Sequence, residues 1–585
     1  MKASFTHSCC VFLLLLFIPE SQYAQHTGNF ETWWEKSHFT ETPRYEQTIE
    51  YAQRLAAASP LISYQVFGKS PQGRDLPLLI LDMDGFSTPD EVERSGKLKI
   101  LVQACIHAGE SEGKDAGLAL FRDIALNHKE VDLDQITILL IPIFNVDGHE
   151  RFTPYSRINQ NGPREAGWRT TATNMNLNRD YLKADAPEMQ AWLKLFTQWD
   201  PDLFIDCHTS DGADYQYPVT MEYDGFQHPL MSQWLSRTFV PELTGAMETS
   251  GFPLFNYVAF RKWHDPRSGL INQIPGPRFS TGYVTARNRF ALLIETHMLK
   301  DYRTRVLGTY QLLENTLKIV APKISTIRSV LQVVDSLTAS EKFRSEPCML
   351  DCTASMTDSI MVSFRGVDYT VEKSDLTGGN WYRYSSTPTT YTLPLFSTQI
   401  PTLQVNLPKA YVIPAEWQEV IRRLDWHGIR YEVLQKPTVM TVETYRFSEP
   451  RWAATPYEGR QILESFRMDT VQMEMLYARG SVKVPTDQPN ARLIAFMFEP
   501  LTDESFLRWG FFNAIFEEKE YVETYVMEKM AREMIGRDPG MKARFDKLKT
   551  EDPAFAANSY AQLMWFYRQT PYYDPSVGLY PVGKL

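Results

Sequence analysis

Two hydrophobic patterns alternate along the first half of the chain. Short apolar runs typical of buried strands are separated by segments whose apolar residues recur every three or four positions, as in amphipathic helices. Strands are predicted at 62–67, 76–81, 99–106, 136–144, 203–207 and 290–294, and helices at 45–58, 115–127, 187–199 and 302–319. The first two strands are joined by a Pro- and Gly-containing turn and predict a hairpin. The alternation predicts an α/β fold with a mixed, mostly parallel sheet and helices on both faces.

The pattern changes beyond about residue 327, where short strand-like runs dominate. Strands are predicted at 359–364, 390–395, 471–476 and 492–498, a strand–helix–strand unit at 410–434, and a helix at 516–535. The predicted organisation is a first domain over residues 42–320 and a mixed α/β accessory region, rich in short strands, over 330–585. No motif in the accessory region predicts chemistry, so its role is left open.

The N-terminus has the pattern of a secretory signal. A basic start at Lys2 is followed by the apolar run Val11–Ile18 and a small residue at Ala24. We therefore predict a signal peptide over residues 1–25 and a secreted or periplasmic protein. A spanning helix needs about 20 apolar residues, and neither this run nor any later one is that long. No transmembrane span is expected.

Charge and cysteine content narrow the function classes. The net charge of −11 argues against a nucleic-acid-binding protein, because such proteins present a basic face. Four cysteines follow the predicted signal, which is few for a disulfide scaffold of this size. Whether Cys105 pairs with Cys207, or Cys348 with Cys352, is open, and the oligomeric state is unknown.

Candidate metal ligands follow two of the predicted strands. The strand at 99–106 is followed by His107-Ala-Gly-Glu110, and the strand at 203–207 by His208. In open α/β sheets, ligands bind beyond the carboxyl ends of the strands, so these side chains are expected to converge. A single His-x-x-Glu pair is a weak signal. Two imidazoles and one carboxylate, however, form a three-ligand zinc set with a fourth position left open for water.

Two further groups suit hydrolytic chemistry. Glu295 ends the apolar strand at 290–294, where a carboxylate is costly unless it faces a crevice. A carboxylate there could take a proton from an activated water. Arg179 follows Asn178 in a loop, and the planar arginine fork binds carboxylates with two parallel hydrogen bonds.

These residues occur in an order that resembles the zinc carboxypeptidase family typified by carboxypeptidase A. The resemblance covers about residues 42–320. Its elements are, in order, residues 68–76 (Gly-Lys-Ser-Pro-Gln-Gly-Arg-Asp-Leu), His107-x-x-Glu110, Asn145-Val-Asp-Gly148, Asn176-Leu-Asn178-Arg179-Asp180, Asp206-Cys-His208 and Ile294-Glu295. Six elements in the family's order make a specific match, whereas one alone would not.

The resemblance implies a role for each matching residue. His107, Glu110 and His208 match the ligands of one zinc ion (Zn2+), and Glu295 matches the general base. Asn178 and Arg179 match the pair that holds the C-terminal carboxylate of the peptide. Arg169 is assigned to the arginine that polarises the scissile carbonyl, although Arg157 and Arg164 lie in the same loop. Tyr283 is assigned to the family's flexible tyrosine, which caps the substrate.

Asn176 departs from the family pattern, and His297 has no assigned role. Asn176 stands where the family often has an aspartate that orients the first histidine ligand, and its amide can accept the same hydrogen bond without carrying charge. His297 follows Glu295 by two residues, which puts both on one face of an extended strand. His297 either contacts Glu295 or the substrate, or is a polar residue at the strand end.

The predicted function is that of a secreted metallocarboxypeptidase with a peptide substrate. A zinc amidase or deacylase of the same fold, acting on cell-wall peptides or N-acyl amino acids, is the main alternative. A binding protein on an inactivated peptidase scaffold is a third hypothesis, but the presence of all three ligands and Glu295 argues against it. Side-chain preference depends on residues within 272–289, which the sequence does not resolve.

Overall fold

The computed structural model describes residues 30–127 and 129–585. The predicted signal peptide lies outside these described residues. Within them, no helix combines the length and the hydropathy that crossing a bilayer requires. Cys105, Cys207, Cys348 and Cys352 are all unpaired, so neither of the two candidate disulfides forms.

The first half of the chain is built on a large central sheet. Its strands and those of a neighbouring hairpin are β1 (Ile62–Lys69), β2 (Asp75–Asp82), β3 (Leu98–Gln103), β4 (Ile136–Ile141), β5 (Leu203–Ser210), β6 (Val219–Glu222), β7 (Leu254–Asn256), β8 (Ala259–Lys262), β9 (Asp265–Ile271) and β10 (Phe290–His297). Eight of them form one sheet in the order β1-β2-β4-β3-β5-β10-β6-β7. Four of its seven neighbouring pairs are parallel, which confirms a mixed, mostly parallel sheet.

Helices cover both faces of this sheet, as predicted. They are α1 (Trp33–Lys36), α2 (Tyr45–Ala58), α3 (Pro89–Ser95), α4 (Glu112–Ala125), α5 (Val146–Glu150), α6 (Pro187–Trp199), α7 (Pro229–Trp234), α8 (Val240–Thr249), α9 (Ser280–Ala286) and α10 (Tyr302–Val320). Successive residues of β2 point to opposite sides: Leu78 joins the core with Trp192 of α6, and Leu79 joins the core with Phe121 of α4. Burial on both faces explains why these strands are apolar throughout.

The accessory half contains ten further strands and eight helices in the described part of the chain. The strands are β11 (Cys348–Ala354), β12 (Ile360–Lys373), β13 (Asn380–Phe396), β14 (Gln399–Val405), β15 (Ala410–Ile413), β16 (Glu432–Val433), β17 (Thr438–Trp452), β18 (Leu463–Tyr477), β19 (Val482–Pro485) and β20 (Gly583–Lys584). The helices are α11 (Ile324–Thr338), α12 (Glu341–Ser345), α13 (Gln418–Trp426), α14 (Ala491–Phe498), α15 (Thr524–Arg537), α16 (Pro539–Glu551), α17 (Pro553–Ala556) and α18 (Ser559–Tyr567).

The two halves share a sheet and a hydrophobic core. A four-stranded sheet has the order β12-β13-β9-β8 and therefore joins strands of both halves. One core contains Trp192 of α6 together with Ile494 and Trp509 of the accessory half. A six-stranded sheet, β16-β19-β15-β20-β17-β18, lies wholly within the accessory half. The boundary near residues 320–330 remains a prediction, because the packing continues across it.

Two of the predicted elements were wrong. Residues 492–498, predicted as a strand, belong to helix α14, whose side chains are almost all buried. Periodicity cannot separate a short strand from a helix when every side is apolar. The helix predicted at 516–535 begins only at Thr524, because residues 517–520 are all charged and exposed and offer no apolar face.

Candidate active site

Three predicted metal ligands meet at the carboxyl ends of β3 and β5. The chain turns sharply after β3, where Cys105 has a positive φ of 57°, and this turn carries His107 and Glu110 towards His208 of β5. The ligand atoms of the three residues lie within 4.8 Å of one another. His208 Nδ1 is 3.2 Å from His107 Nδ1 and 3.0 Å from Glu110 Oε2.

The geometry and chemistry of this cluster fit a zinc ion. Tetrahedral zinc with nitrogen and oxygen ligands at about 2.1 Å places its donors about 3.4 Å apart, close to the separations of 3.0–3.2 Å found here. The Nδ1 atoms of both histidines face the cluster, and their Nε2 atoms bind other residues. The donor set of two imidazoles and one carboxylate is the one that catalytic zinc sites use.

Neighbouring polar groups orient both histidines. His107 Nε2 lies 3.1 Å from Asn176 Oδ1, and His208 Nε2 lies 2.9 Å from Asp206 Oδ2. Asn176 therefore accepts the hydrogen bond expected of it. The role of Asp206 was not recognised from the sequence, although its position two residues before His208 on one strand places both on the same face. His107 is therefore oriented by the amide of Asn176, whereas His208 is oriented by the carboxylate of Asp206.

Burial and charge prepare the ligands for a cation. Burial lowers the pKa of His107 to about 4, so its imidazole is neutral at neutral pH and free to bind a metal. Burial alone would raise the pKa of Glu110, but His107 and Arg157 hold it well below its usual value. Glu110 is therefore ionised at the point where a metal would sit.

Glu295 lies beside this cluster on the neighbouring strand. Its Cα is paired with that of His208 in the parallel β10–β5 ladder. Burial raises the pKa of its carboxyl group well above the usual value; His208 opposes this rise, and Glu110 adds to it. Among the described residues, its buried Oε2 has no hydrogen-bond partner. This oxygen is free to accept a proton from a bound water or substrate.

A cavity of about 600 Å³ opens above these residues. Seven of the eight predicted site residues line it: His107, Glu110, Arg169, Asn178, Arg179, His208 and Glu295. The lining also includes Asp211, Glu222, Tyr257 and Leu293, which were not identified from the sequence. The segment 271–276 lines the cavity as well, and most of it falls within the range 272–289 expected to determine side-chain preference.

Asn178 and Arg179 are held at one side of the cavity. Asn178 Oδ1 accepts a hydrogen bond of 2.9 Å from the Ser280 backbone N–H. The Arg179 guanidinium stacks over Phe279 at 4.3 Å and donates to the Asn178 carbonyl at 2.6 Å. It forms no ion pair with a described residue. A positive group without an acidic partner is available for an anionic ligand.

The three candidate arginines occupy different places. Arg157 Nη2 is 2.6 Å from Glu110 Oε1, whereas Arg169 Nη1 is 3.6 Å from the same oxygen and lines the cavity. Arg164 pairs with Glu41 instead. Of these three arginines, Arg169 lines the cavity, and Arg157 binds Glu110 from outside the lining.

The assignment of Tyr283 to the substrate cap was wrong. Tyr283 is completely buried among Trp192 and Tyr181, and its hydroxyl lies 2.8 Å from His427 Nδ1, outside the cavity. Tyr257, in the loop between β7 and β8, lines the cavity instead. The nearby negative charge of Glu295, followed by burial, raises the pKa of the Tyr257 hydroxyl well above its usual value. No motif surrounds Tyr257 that could have identified it from sequence.

His297 does not take part in this site. Its Nε2 lies 3.0 Å from Asp214 Oδ1 and 3.2 Å from the Tyr215 backbone N–H. Of the possibilities considered for it, a polar residue at the strand end is the one observed.

The family comparison agrees with this geometry. The sequence model of the family described as "Zinc carboxypeptidase" matches residues 48–245. This part of the chain is a zinc carboxypeptidase domain. The match includes His107, Glu110 and His208, and it confirms the resemblance seen in the sequence.

Similarity to curated proteins extends over both halves. "Carboxypeptidase 2" of Trichophyton rubrum is 23% identical over 487 residues, which cover 80% of this chain and 84% of that protein. "Carboxypeptidase 2" of Trichophyton equinum is 24% identical over 493 residues, with the same coverage of 80% and 84%. Together with the family match, these relatives confirm the predicted class of enzyme, a zinc metallocarboxypeptidase.

Solved structures are also similar to about half of the chain. A putative carboxypeptidase A from Shewanella denitrificans OS-217 is 18% identical, with a TM-score of 0.38, over 49% of this chain and 71% of that one. A metallo-carboxypeptidase from Pseudomonas aeruginosa is 21% identical, with a TM-score of 0.36, over 48% of this chain and 70% of that one.

The accessory half completes the wall of the carboxypeptidase cavity. Five of its residues line the cavity: Cys352, Thr353, Ala354, Met356 and Gln399. Arg278, beside the cavity, also binds Glu504 of the accessory half through a 2.8 Å ion pair. The substrate cavity is therefore formed by both halves of the chain.

Proposed function

We propose that this protein is an exported metallocarboxypeptidase that removes the C-terminal residue of peptides, with Glu295 as general base. One observation carries the proposal. An unpaired Arg179 and an unpaired carboxylate oxygen of Glu295 line the same cavity as the three metal ligands. This arrangement suits a substrate with a free carboxylate next to the bond that is cleaved.

Each step of hydrolysis has a candidate residue. When bound to His107, Glu110 and His208, a zinc ion supplies Lewis-acid polarisation of water and of the scissile carbonyl. Glu295 takes a proton from the attacking water as the water oxygen bonds to the carbonyl carbon. Glu295 then gives that proton to the amine nitrogen as the carbon–nitrogen bond breaks. Its raised pKa suits a group that must hold the proton between the two steps.

The remaining cavity residues position the substrate. Asn178 and Arg179 bind the terminal carboxylate, and Arg169 contacts the carbonyl whose oxygen gains negative charge. Tyr257 covers the bound peptide from the loop between β7 and β8 and takes the role first assigned to Tyr283. Export is supported by the basic start and the apolar run Val11–Ile18.

Replacing the base tests the proposal. Glu295→Gln should retain stoichiometric zinc but lose about 10²- to 10⁴-fold in kcat, because the amide cannot accept the proton. Zinc content by metal analysis and release of C-terminal amino acids by mass spectrometry measure the two effects. A Glu295→Gln variant with near-normal turnover would show that another group is the base.

A second variant tests which end of the peptide is bound. Arg179→Ala should reduce cleavage of peptides with a free C-terminus far more than cleavage of their C-terminally amidated counterparts. Cell-wall peptides and N-acyl amino acids in the same assay test the amidase or deacylase alternative. Faster turnover of either than of any peptide would favour that alternative.

A further inference from the structure

Two carboxylates in the cavity have no role in the proposed reaction. Glu222 ends strand β6, and Asp211 follows β5 at an exposed position. The Cα of Glu222 is paired with that of Leu293, two residues before Glu295 on β10. Because residues two apart on a strand share a face, Glu222 and Glu295 lie on the same side of the sheet, about 7–8 Å apart as diagonal neighbours.

Glu222 is placed in the cavity without a positive partner. Its Oε1 accepts a 2.9 Å hydrogen bond from the Thr281 hydroxyl, and it forms no ion pair with any described residue. A largely buried carboxylate is costly unless a cation or several hydrogen bonds compensate it. Glu222 has one such hydrogen bond, so its ionised form needs a cationic ligand to compensate the charge.

Glu222 is linked by hydrogen bonds to the residues proposed to hold the C-terminal end of the substrate. The Ser280 backbone N–H binds Asn178, one of the two residues proposed to hold the terminal carboxylate. Thr281, the next residue, binds Glu222. The carboxylate-binding pair and Glu222 are thus linked through two successive residues at the start of α9. A terminal residue bound by its carboxylate would extend its side chain towards Glu222.

We propose that Glu222 binds the cationic side chain of a C-terminal lysine or arginine and makes the enzyme selective for basic C-terminal residues. The inference rests on the proposed carboxypeptidase function and specifies its substrate class. Leu293 and the segment 271–276 line the cavity beside Glu222 and can contact the aliphatic stem of such a side chain. Asp211 adds a negative charge among the residues that line the cavity.

The electrostatics of the cavity agree with this role. Burial raises the pKa of Glu222 to about 8; the Thr281 hydrogen bond and His208 lower it, and Asp224 raises it. A bound ammonium or guanidinium group would favour the ionised form, and binding would release a proton. Asp211, another carboxylate of the cavity lining, repels an anionic side chain, which disfavours acidic terminal residues.

Matched peptides test the inference directly. Two pairs would be compared, identical except for the last residue: lysine against norleucine, and arginine against citrulline. Each pair removes the charge: norleucine keeps the four-carbon stem of lysine, and citrulline keeps the length of arginine. The wild-type enzyme should prefer the charged member by about 10- to 100-fold in kcat/KM, the range expected for a hydrogen-bonded charge in a buried site.

Glu222→Gln should bring both ratios close to one. Asp211→Asn is the control for a general electrostatic field, and it should reduce the ratios much less because Asp211 is exposed. If the glutamine variant does not fold, Glu222→Asp replaces it. The shorter side chain should give ratios between those of the wild type and one.

The outcomes separate this inference from the proposed function. Failure to cleave any peptide would overturn the carboxypeptidase proposal itself. Efficient cleavage with wild-type ratios at or below one would overturn only the role of Glu222. The same conclusion would follow if Glu222→Gln or Glu222→Asp kept the full wild-type preference, or if Asp211→Asn lowered it equally.

Discussion

Two tyrosines show how the surroundings of a single residue determine its role. Tyr283 is surrounded by aromatic side chains, and its hydroxyl also receives a 3.1 Å hydrogen bond from Arg287. Tyr257 lies in a loop at the cavity, where the charge of Glu295 is the largest cause of the raised pKa of its hydroxyl. The first environment stabilises the fold, and the second can contact substrate.

Removing each hydroxyl should separate these roles. Tyr257→Phe should lower kcat/KM by about tenfold through loss of one hydrogen bond to the substrate, with little change in stability. Tyr283→Phe should leave kcat/KM nearly unchanged but cost about 1–3 kcal/mol of unfolding free energy, because buried polar partners lose a bond. Steady-state kinetics and urea denaturation measure the two quantities. The opposite pattern would restore Tyr283 as the substrate cap.

At the scale of elements, close contact between α4 and β5 fixes the distance between two metal ligands. Glu110 precedes α4 by two residues, and His208 lies on β5. Gly113, in the first turn of α4, allows this contact: a Cβ on it would lie 2.4 Å from the Cys207 Cβ and 2.8 Å from the Cys207 Sγ. A side chain there would push the helix away from the strand.

Gly113→Ala should therefore destabilise the protein by about 1–3 kcal/mol, as overpacking in a dense core does. It should also weaken zinc binding, because Glu110 moves with the helix. Gly245→Ala in α8 is the matched control, since nothing lies within 4 Å of a Cβ there. That variant should be neutral or more stable by up to about 1 kcal/mol. Urea denaturation and chelator competition measure both effects, and equal stabilities for the two variants would contradict the packing argument.

The main elements of the first half and the metal site could both be predicted because they follow from local sequence patterns. Helix α6 and the β1–β2 hairpin follow strong local patterns, and His107, Glu110, His208 and Glu295 all follow or end buried strands. Tyr257 and Glu222 were not predictable, because they reach the cavity through strand pairing and loop conformation. Helix α14 was mistaken for a strand because its apolar run is buried on all sides.

At the scale of the whole molecule, the accessory half holds a loop of the active site. The turn between β17 and β18 contains Glu458, whose Oε2 accepts a 2.8 Å hydrogen bond from the Asn176 N–H. Asn176 in turn binds His107. Glu458 has a positive φ of 47°, a conformation that costs energy for a residue with a side chain. Nearby, Arg460 pairs with Asp185 at 2.6 Å and secures the turn against the first half.

Because of this connection, a substitution in the accessory half should change the zinc affinity of the site. Glu458→Ala should raise the zinc dissociation constant by about tenfold, the lower end of the roughly 10- to 100-fold range typical when a residue that orients a metal ligand is changed. Glu458→Gly removes the same carboxylate but relieves the positive φ, so it should lose zinc affinity without losing stability. Glu464→Ala, at an exposed position on β18, is the control and should leave both unchanged. Chelator competition gives the affinity and thermal denaturation the stability. If zinc affinity falls only where stability falls across the three variants, the turn only supports the fold. If Glu458→Gly lowers zinc affinity but not stability, residues of the second half orient a metal ligand of the first.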